Sequence, residues 1–152
     1  MANKNLKEKL IEDMKMAMKD KDKVRLSVIR MIRAGIQSVE MDSGKQLEDE
    51  ELIDVIAKEL KQRKETLSEW KKTGRQNMVD QVEKEIAIIQ DYLPEQLSEE
   101  EVKDIAMKAI QETGADGPAD MGKVMGRVIS KTKGRADGSM VSKVVQNLLS
   151  NM

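Results

Sequence analysis

The chain has 152 residues, 27 Lys and Arg against 28 Asp and Glu, and neither Cys nor His. Those two absences exclude a disulfide scaffold, thiolate zinc sites, a cysteine nucleophile and the usual imidazole base. With no Phe, one Tyr and one Trp, the chain has no aromatic platform on which unpaired bases can stack.

Hydrophobic spacing of three and four recurs from end to end, and it predicts an all-α fold. The first helix, over Met1–Asp20, carries Leu6, Leu10, Met14, Ala17 and Met18 on one face. The second, Asp22–Asp42, has Val24, Val28, Ile29, Ile32, Ile36 and Val39, with Leu26 and Met31 widening the stripe. A stripe that wide marks the most buried helix. Lys23, Arg30 and Arg33 lie opposite it, read as a solvated surface answered by acids on neighbouring helices. Ser43-Gly44-Lys45 breaks the pattern.

A third helix over Glu48–Lys72 shows Leu52, Ile53, Ile56, Leu60, Leu67 and Trp70, and Thr73-Gly74 stops it. Arg63 falls on this otherwise apolar stripe, so it either snorkels to solvent or meets a carboxylate. Trp70 is expected at the core or its edge. The fourth helix, Gln76–Tyr92, repeats Val79, Val82, Ile86, Ile89 and Leu93 in a narrow seam ended by Pro94. The core is expected to be Leu, Ile, Val and the 12 Met.

Ser98-Glu99-Glu100-Glu101 is a capping box that opens a new helix, striped by Val102, Ile105, Ala106 and Ile110 and closed by Gly114. Gly117-Pro118 starts the next, on which Met121, Val124, Met125, Val128 and Ile129 form one face. Gly122 and Gly126 lie one turn apart there and suggest a close approach by another helix. Gly134 suits a left-handed helix end, and Asp137 a cap for the last helix, striped by Met140, Val141, Val144, Val145, Leu148 and Leu149. The chain therefore divides into an N-terminal helical bundle-like domain, residues 1–94, and a small three-helix domain, residues 95–152.

Charge separates along this second domain. Between 121 and 152, Lys123, Arg127, Lys131, Lys133, Arg135 and Lys143 face Asp137 alone, whereas eight acids face two lysines between 95 and 120. Lys123, Arg127 and Lys131 are spaced to share one solvent face, and Lys133 and Arg135 flank the Gly134 turn. Part of that basic face can be neutralised by the acidic stretch. A third basic group, between Lys61 and Arg75, has six cations against Glu65 and Glu69.

A catalytic search finds no serine triad and no phosphate loop; Gly122-Lys123 and Gly126-Arg127 have the wrong spacing and lie inside a helix. The acidic runs Glu48–Glu51 and Glu99–Glu101 sit at helix N-termini, where the dipole favours carboxylates. No catalytic residue, cofactor or metal ligand set is assigned. No run reaches the roughly 18 apolar residues of a membrane span, and the N-terminus lacks a signal-peptide core. A soluble, cytoplasmic protein is expected.

The run G-K-V-M-G-R-V, then K-G-R-A-D-G and an aliphatic helix, resembles the tail domain of the B subunit of glutamine-dependent aspartyl/glutamyl-tRNA amidotransferases. The whole chain resembles the YqeY-like proteins, through Lys61-Gln62-Arg63-Lys64-Glu65 and Tyr92-Leu93-Pro94-Glu95-Gln96-Leu97-Ser98 as well. Asp137-Gly138 departs from the Asn or Asp followed by Pro common in the amidotransferase tails. The resemblance implies a tRNA-associated accessory module, with Lys123, Arg127, Lys131, Lys133 and Arg135 as RNA-binding candidates. Its partner would be tRNA or a tRNA-processing protein complex, with no membrane or DNA. Two alternatives are a helical protein–protein adaptor and a component with carbon–nitrogen ligase activity using glutamine as amide donor. The larger assemblies have that activity, but this chain lacks their amidase and nucleotide-binding parts.

Overall fold

The computed structural model describes residues 5–152; the start of the first helix expected from Met1 lies outside them. Among the described residues the regular structure is helical throughout: α1 (Leu6–Lys19), α2 (Lys23–Ser43), α3 (Asp49–Thr73), α4 (Gln76–Gln90), α5 (Glu99–Thr113), α6 (Met121–Thr132) and α7 (Gly138–Ser150). A single 3-10 turn, Pro118–Asp120, leads into α6, so Pro118 opens this turn while α6 itself starts three residues later. Two compact units divide the chain, Met1–Leu93 and Pro94–Met152.

In the first unit α2 packs against α1, α3 and α4, which is why its stripe is broad. Val28, Ile29, Ile32 and Ile36 are its buried residues, joined by Leu10 from α1, Leu52, Ile56 and Leu60 from α3, and Val82, Ile86 and Ile89 from α4. Val39, expected on the same stripe, is 40% exposed. Side chains fix the helix starts: Asn5 accepts from the Glu8 N–H at 2.8 Å, and Asp22 from the Arg25 N–H at 3.2 Å.

Close helix approach occurs at Gly35, not at the glycines expected to provide it. A Cβ added to Gly35 would lie 3.3 Å from Glu59 Oε1 and 3.4 Å from Val55 Cγ1 of α3, whereas one added to Gly122 or Gly126 would meet nothing within 4 Å. Spacing alone puts two glycines on one helix face but does not say whether that face is packed. Methionine also departs from expectation, since none of the described methionines is buried and Met41 is 81% exposed. β-Branched and leucine side chains occupy the seams, and the thioethers sit along their margins.

Two polar features are built into this unit. Tyr92 is buried, and its hydroxyl donates to Asp13 Oδ2 at 2.5 Å. Burial first, and then the Asp13 carboxylate, push the phenol above its ordinary range. Arg63 meets a carboxylate, with Nε 3.1 Å from Glu85 Oε2 of α4 in an ion pair without an N–H···O hydrogen bond from Nε. Its guanidinium also contacts the Met31 sulfur. Trp70 packs at the edge of the core with Leu67.

The second unit joins α5, α6 and α7 around Val102, Ala106, Ala109, Val124, Val128, Val141, Val144, Val145 and Leu149. The capping box at Ser98 and Glu101 is formed, and Glu48 and Glu51 form another at α3. These boxes account for the acidic starts of both helices through backbone satisfaction. Among the described residues no helix is long and apolar enough to cross a membrane, and no cluster of three or more acidic side chains could hold a metal ion.

Candidate functional site

The region of interest is the end of α6, the turn after it and the segment Pro94–Leu97 against which that turn is tied. Val124 and Val128 anchor the inner face of α6, and Thr132 follows them into the interior. Thr132 is polar, so its hydroxyl donates to the Val128 carbonyl at 2.9 Å, satisfying the group without a partner from another helix. The chain then reverses. Lys133 has φ −56° and ψ 124°, Gly134 has φ 74°, and the Arg135 N–H donates to the Thr132 carbonyl at 2.8 Å.

These angles define a type II turn, whose third residue requires positive φ. Gly134 therefore serves the turn; the position that ends α6 is Lys133, not left-handed. Asp137 caps α7, accepting from the Ser139 N–H at 3.1 Å.

Five hydrogen bonds hold the reversal and the segment beside it. The Gln96 amide donates to the Gly134 carbonyl at 2.8 Å and to the Pro94 carbonyl at 2.9 Å. The Leu97 N–H donates to the Arg135 carbonyl at 2.8 Å. Arg135 returns the contact, its Nε donating to the Glu95 carbonyl at 3.1 Å, and it also reaches the Lys131 carbonyl at 3.3 Å. Gln96 has no counterpart in the periodicity of the sequence. Its only signal was membership of the Tyr92–Ser98 run, because a side chain bonding a distant backbone leaves no spacing pattern.

The five basic candidates fall into different environments. Arg127 of α6 pairs with Glu112 of α5 at 3.0 Å, and Lys123 lies 3.8 Å from Asp120. Asp120 is itself held below the usual carboxylate range, first by the Asp116 backbone N–H, with Lys123 a smaller influence. Arg135 is half-buried and spent on backbone carbonyls. Lys131 and Lys133 are exposed at the C-terminal end of α6, and no ion pair with a described carboxylate is formed by Lys131. The acidic stretch thus answers the N-terminal part of the basic face, at Lys123 and Arg127, and does not reach Lys131.

The basic stripe on α2, Lys23, Arg30 and Arg33, is exposed as expected, but acids do not answer its arginines. Arg30 and Arg33 find no carboxylate among the described residues. Their guanidinium groups approach thioethers of α1, at 3.9 Å from the Met18 sulfur and 3.1 Å from the Met14 sulfur. The α1 residues that reach them are methionines, and the nearby acid Glu40 is bound to Lys7.

An all-helical chain of two units with a stapled basic turn belongs to a recognisable class. The YqeY-like protein family model matches residues 7–149, and the chain belongs to that family. It is similar to "Altered inheritance of mitochondria protein 41, mitochondrial" of Pyrenophora tritici-repentis, 31% identical over 93% of this chain and 79% of that protein. The proteins of the same name from Lachancea thermotolerans and Kluyveromyces lactis are 40% and 38% identical. Those two alignments cover 55% of this chain and span 46% and 45% of the relatives' lengths. The expectation of a cytoplasmic protein is overturned by these names, each of which places its bearer in mitochondria. An absence of cysteine fits a reducing environment but carries no address.

Proposed function

We propose that this chain is a non-catalytic accessory module that holds structured tRNA by its phosphates, using the basic end of α6 and the turn that follows. The observation that carries the reading is the division of labour within the basic cluster. Arg135 and Gln96 fix the backbone of the turn, while Lys131 and Lys133 are presented from it to solvent. A fixed backbone with the exposed Lys131 ammonium beside it, unpaired with any described carboxylate, suits contacts to phosphate oxygens, which position a nucleic acid without reading bases. The lack of stacking side chains favours recognition of shape over unpaired sequence. The likeness of residues 121–152 to the tail of tRNA-dependent amidotransferases supports the same reading.

Lys123 and Arg127 flank the contact. Their carboxylate partners, Asp120 and Glu112, limit the footprint to the neighbourhood of the turn. The test is fluorescence anisotropy of labelled tRNA with the full chain and with a Lys131→Ala/Lys133→Ala variant. Because the relatives' names are mitochondrial, the probes include a mitochondrial tRNA. The variant should bind every tRNA more weakly by a similar factor while melting at the parent's temperature. Equal affinity of parent and variant would overturn the assignment.

A further inference from the structure

Between α1 and α2 the surface opens into a groove of about 530 Å³. Leu10 and Ile36 form its buried floor, with Ile11 and Ala34 reaching the opening. Arg30 and Arg33 stand along it. At another part of its lining, Lys7 hydrogen-bonds Glu40, whose same carboxylate oxygen also accepts the Leu47 N–H at 2.8 Å. Glu40 is the one acid that lines the groove among the described residues. The Lys7 ammonium first, and then that N–H, hold it below the usual carboxylate range, so it stays charged and committed to Lys7.

Among the described residues, the two guanidinium groups are therefore without a compensating charge. A thioether is a weak acceptor and carries none, so Met14 and Met18 cover the arginines without neutralising them. We infer that the groove is a docking site for an acidic amphipathic helix of a partner protein, its apolar face on Leu10, Ile11 and Ala34 and its carboxylates on Arg30 and Arg33. Arg30 and Arg33 are three residues apart on one helix, so their Cβ atoms lie roughly 5–6 Å apart and match carboxylates spaced three or four along a facing helix. Unbranched methionine side chains at the rim adapt to such an occupant. The apolar floor favours a peptide over RNA, whose phosphates have no use for it.

The probe is a fluorescein-labelled Leu/Ala/Glu amphipathic peptide of roughly 20 residues, long enough to form helix in isolation, with its Glu→Gln analogue as control. Titrated with the full chain, the Glu peptide should bind. The Gln analogue should bind about tenfold more weakly, as should the Glu peptide to an Arg30→Gln/Arg33→Gln variant, because each loses charge-assisted hydrogen bonds. Both arginines are exposed, and an unchanged melting temperature establishes that the variant is folded. An Ile11→Ala variant should weaken peptide binding as well. Equal binding of both peptides, or no loss in the arginine variant, overturns the inference. Arginine-dependent binding of an RNA oligonucleotide in place of the peptide overturns it in favour of a nucleic-acid site.

Discussion

Ile29, Ile32, Leu52 and Ile56 fill the middle of the first unit, and its two longest helices run to 21 and 25 residues. The second unit has helices of 12 to 15 residues, and Leu149 is its one buried side chain larger than valine among the described residues. Burial stabilises in proportion to apolar area, at about 25 cal/mol per Å², so each inward residue of the second unit contributes less. The smaller unit adds a polar geometry of its own: a type II turn and a glutamine amide satisfying two carbonyls. Its proposed binding lysines rise from that polar construction. In the first unit the Tyr92–Asp13 and Arg63–Glu85 pairs are set into a larger apolar core, and its groove has an apolar floor.

The largest effect expected from this contrast is in the core. Ile56→Ala removes a fully buried side chain and should cost about 2–5 kcal/mol, whereas Val128→Ala, equally buried in the second unit, should cost about 2 kcal/mol. Urea unfolding of the two variants provides the comparison, and equal losses would show that the valine core is packed more tightly than its residue sizes suggest.

Next come the polar fixtures. Gln96→Ala leaves the Gly134 and Pro94 carbonyls without that donor and should destabilise by about 1–3 kcal/mol. Gly134→Ala imposes positive φ on a residue with a Cβ and should cost about 1–2 kcal/mol. A Gln96→Ala variant that melts like the parent would show that the turn holds itself without the staple.

Smaller effects of opposite sign follow at the exposed glycines. Gly122→Ala and Gly126→Ala meet open space, and each should stabilise by up to about 1 kcal/mol through helix propensity. A loss of stability in thermal melts would mean that the outer face of α6 has a packing role.

The smallest expected effect is the pH dependence that Glu40 contributes in the first unit. Glu40 is depressed in the folded chain, so it adds stability that is present above its unfolded pKa and is lost as pH falls through its folded pKa. Glu40→Gln should narrow the stability difference between neutral and acid solution, read from urea midpoints against pH. An unchanged acid profile would remove the Lys7–Glu40–Leu47 junction from the account.

Periodicity made the helical fold legible, because a seam of Val28, Ile29, Ile32 and Ile36 has meaning in one dimension. Asp137 was legible too, since a cap is a local event. The methionines were misplaced because hydrophobicity alone does not separate a seam from its margin. Gly122 and Gly126 carried the right spacing on a face that nothing covers, while Gly35 gave no signal until α3 was set beside it. The site shows the same limit. Five cations could be read as a cluster, but the Glu112 and Asp120 pairings, and the use of Arg135 on backbone carbonyls, are tertiary facts. So is the partnering of Arg30 and Arg33, which meet methionines of α1 where acidic neighbours were expected.

The salt dependence of tRNA binding distinguishes the turn after α6 from the α2 arginines, compared among the parent, Lys131→Ala/Lys133→Ala and Arg30→Gln/Arg33→Gln. Losing two phosphate contacts should reduce the slope of log affinity against log salt by about 1.4–1.8 in the lysine variant. The arginine variant should keep the parent's slope. Identical slopes for all three proteins, or a reduction in the arginine variant alone, would contradict the assignment of tRNA to the turn after α6.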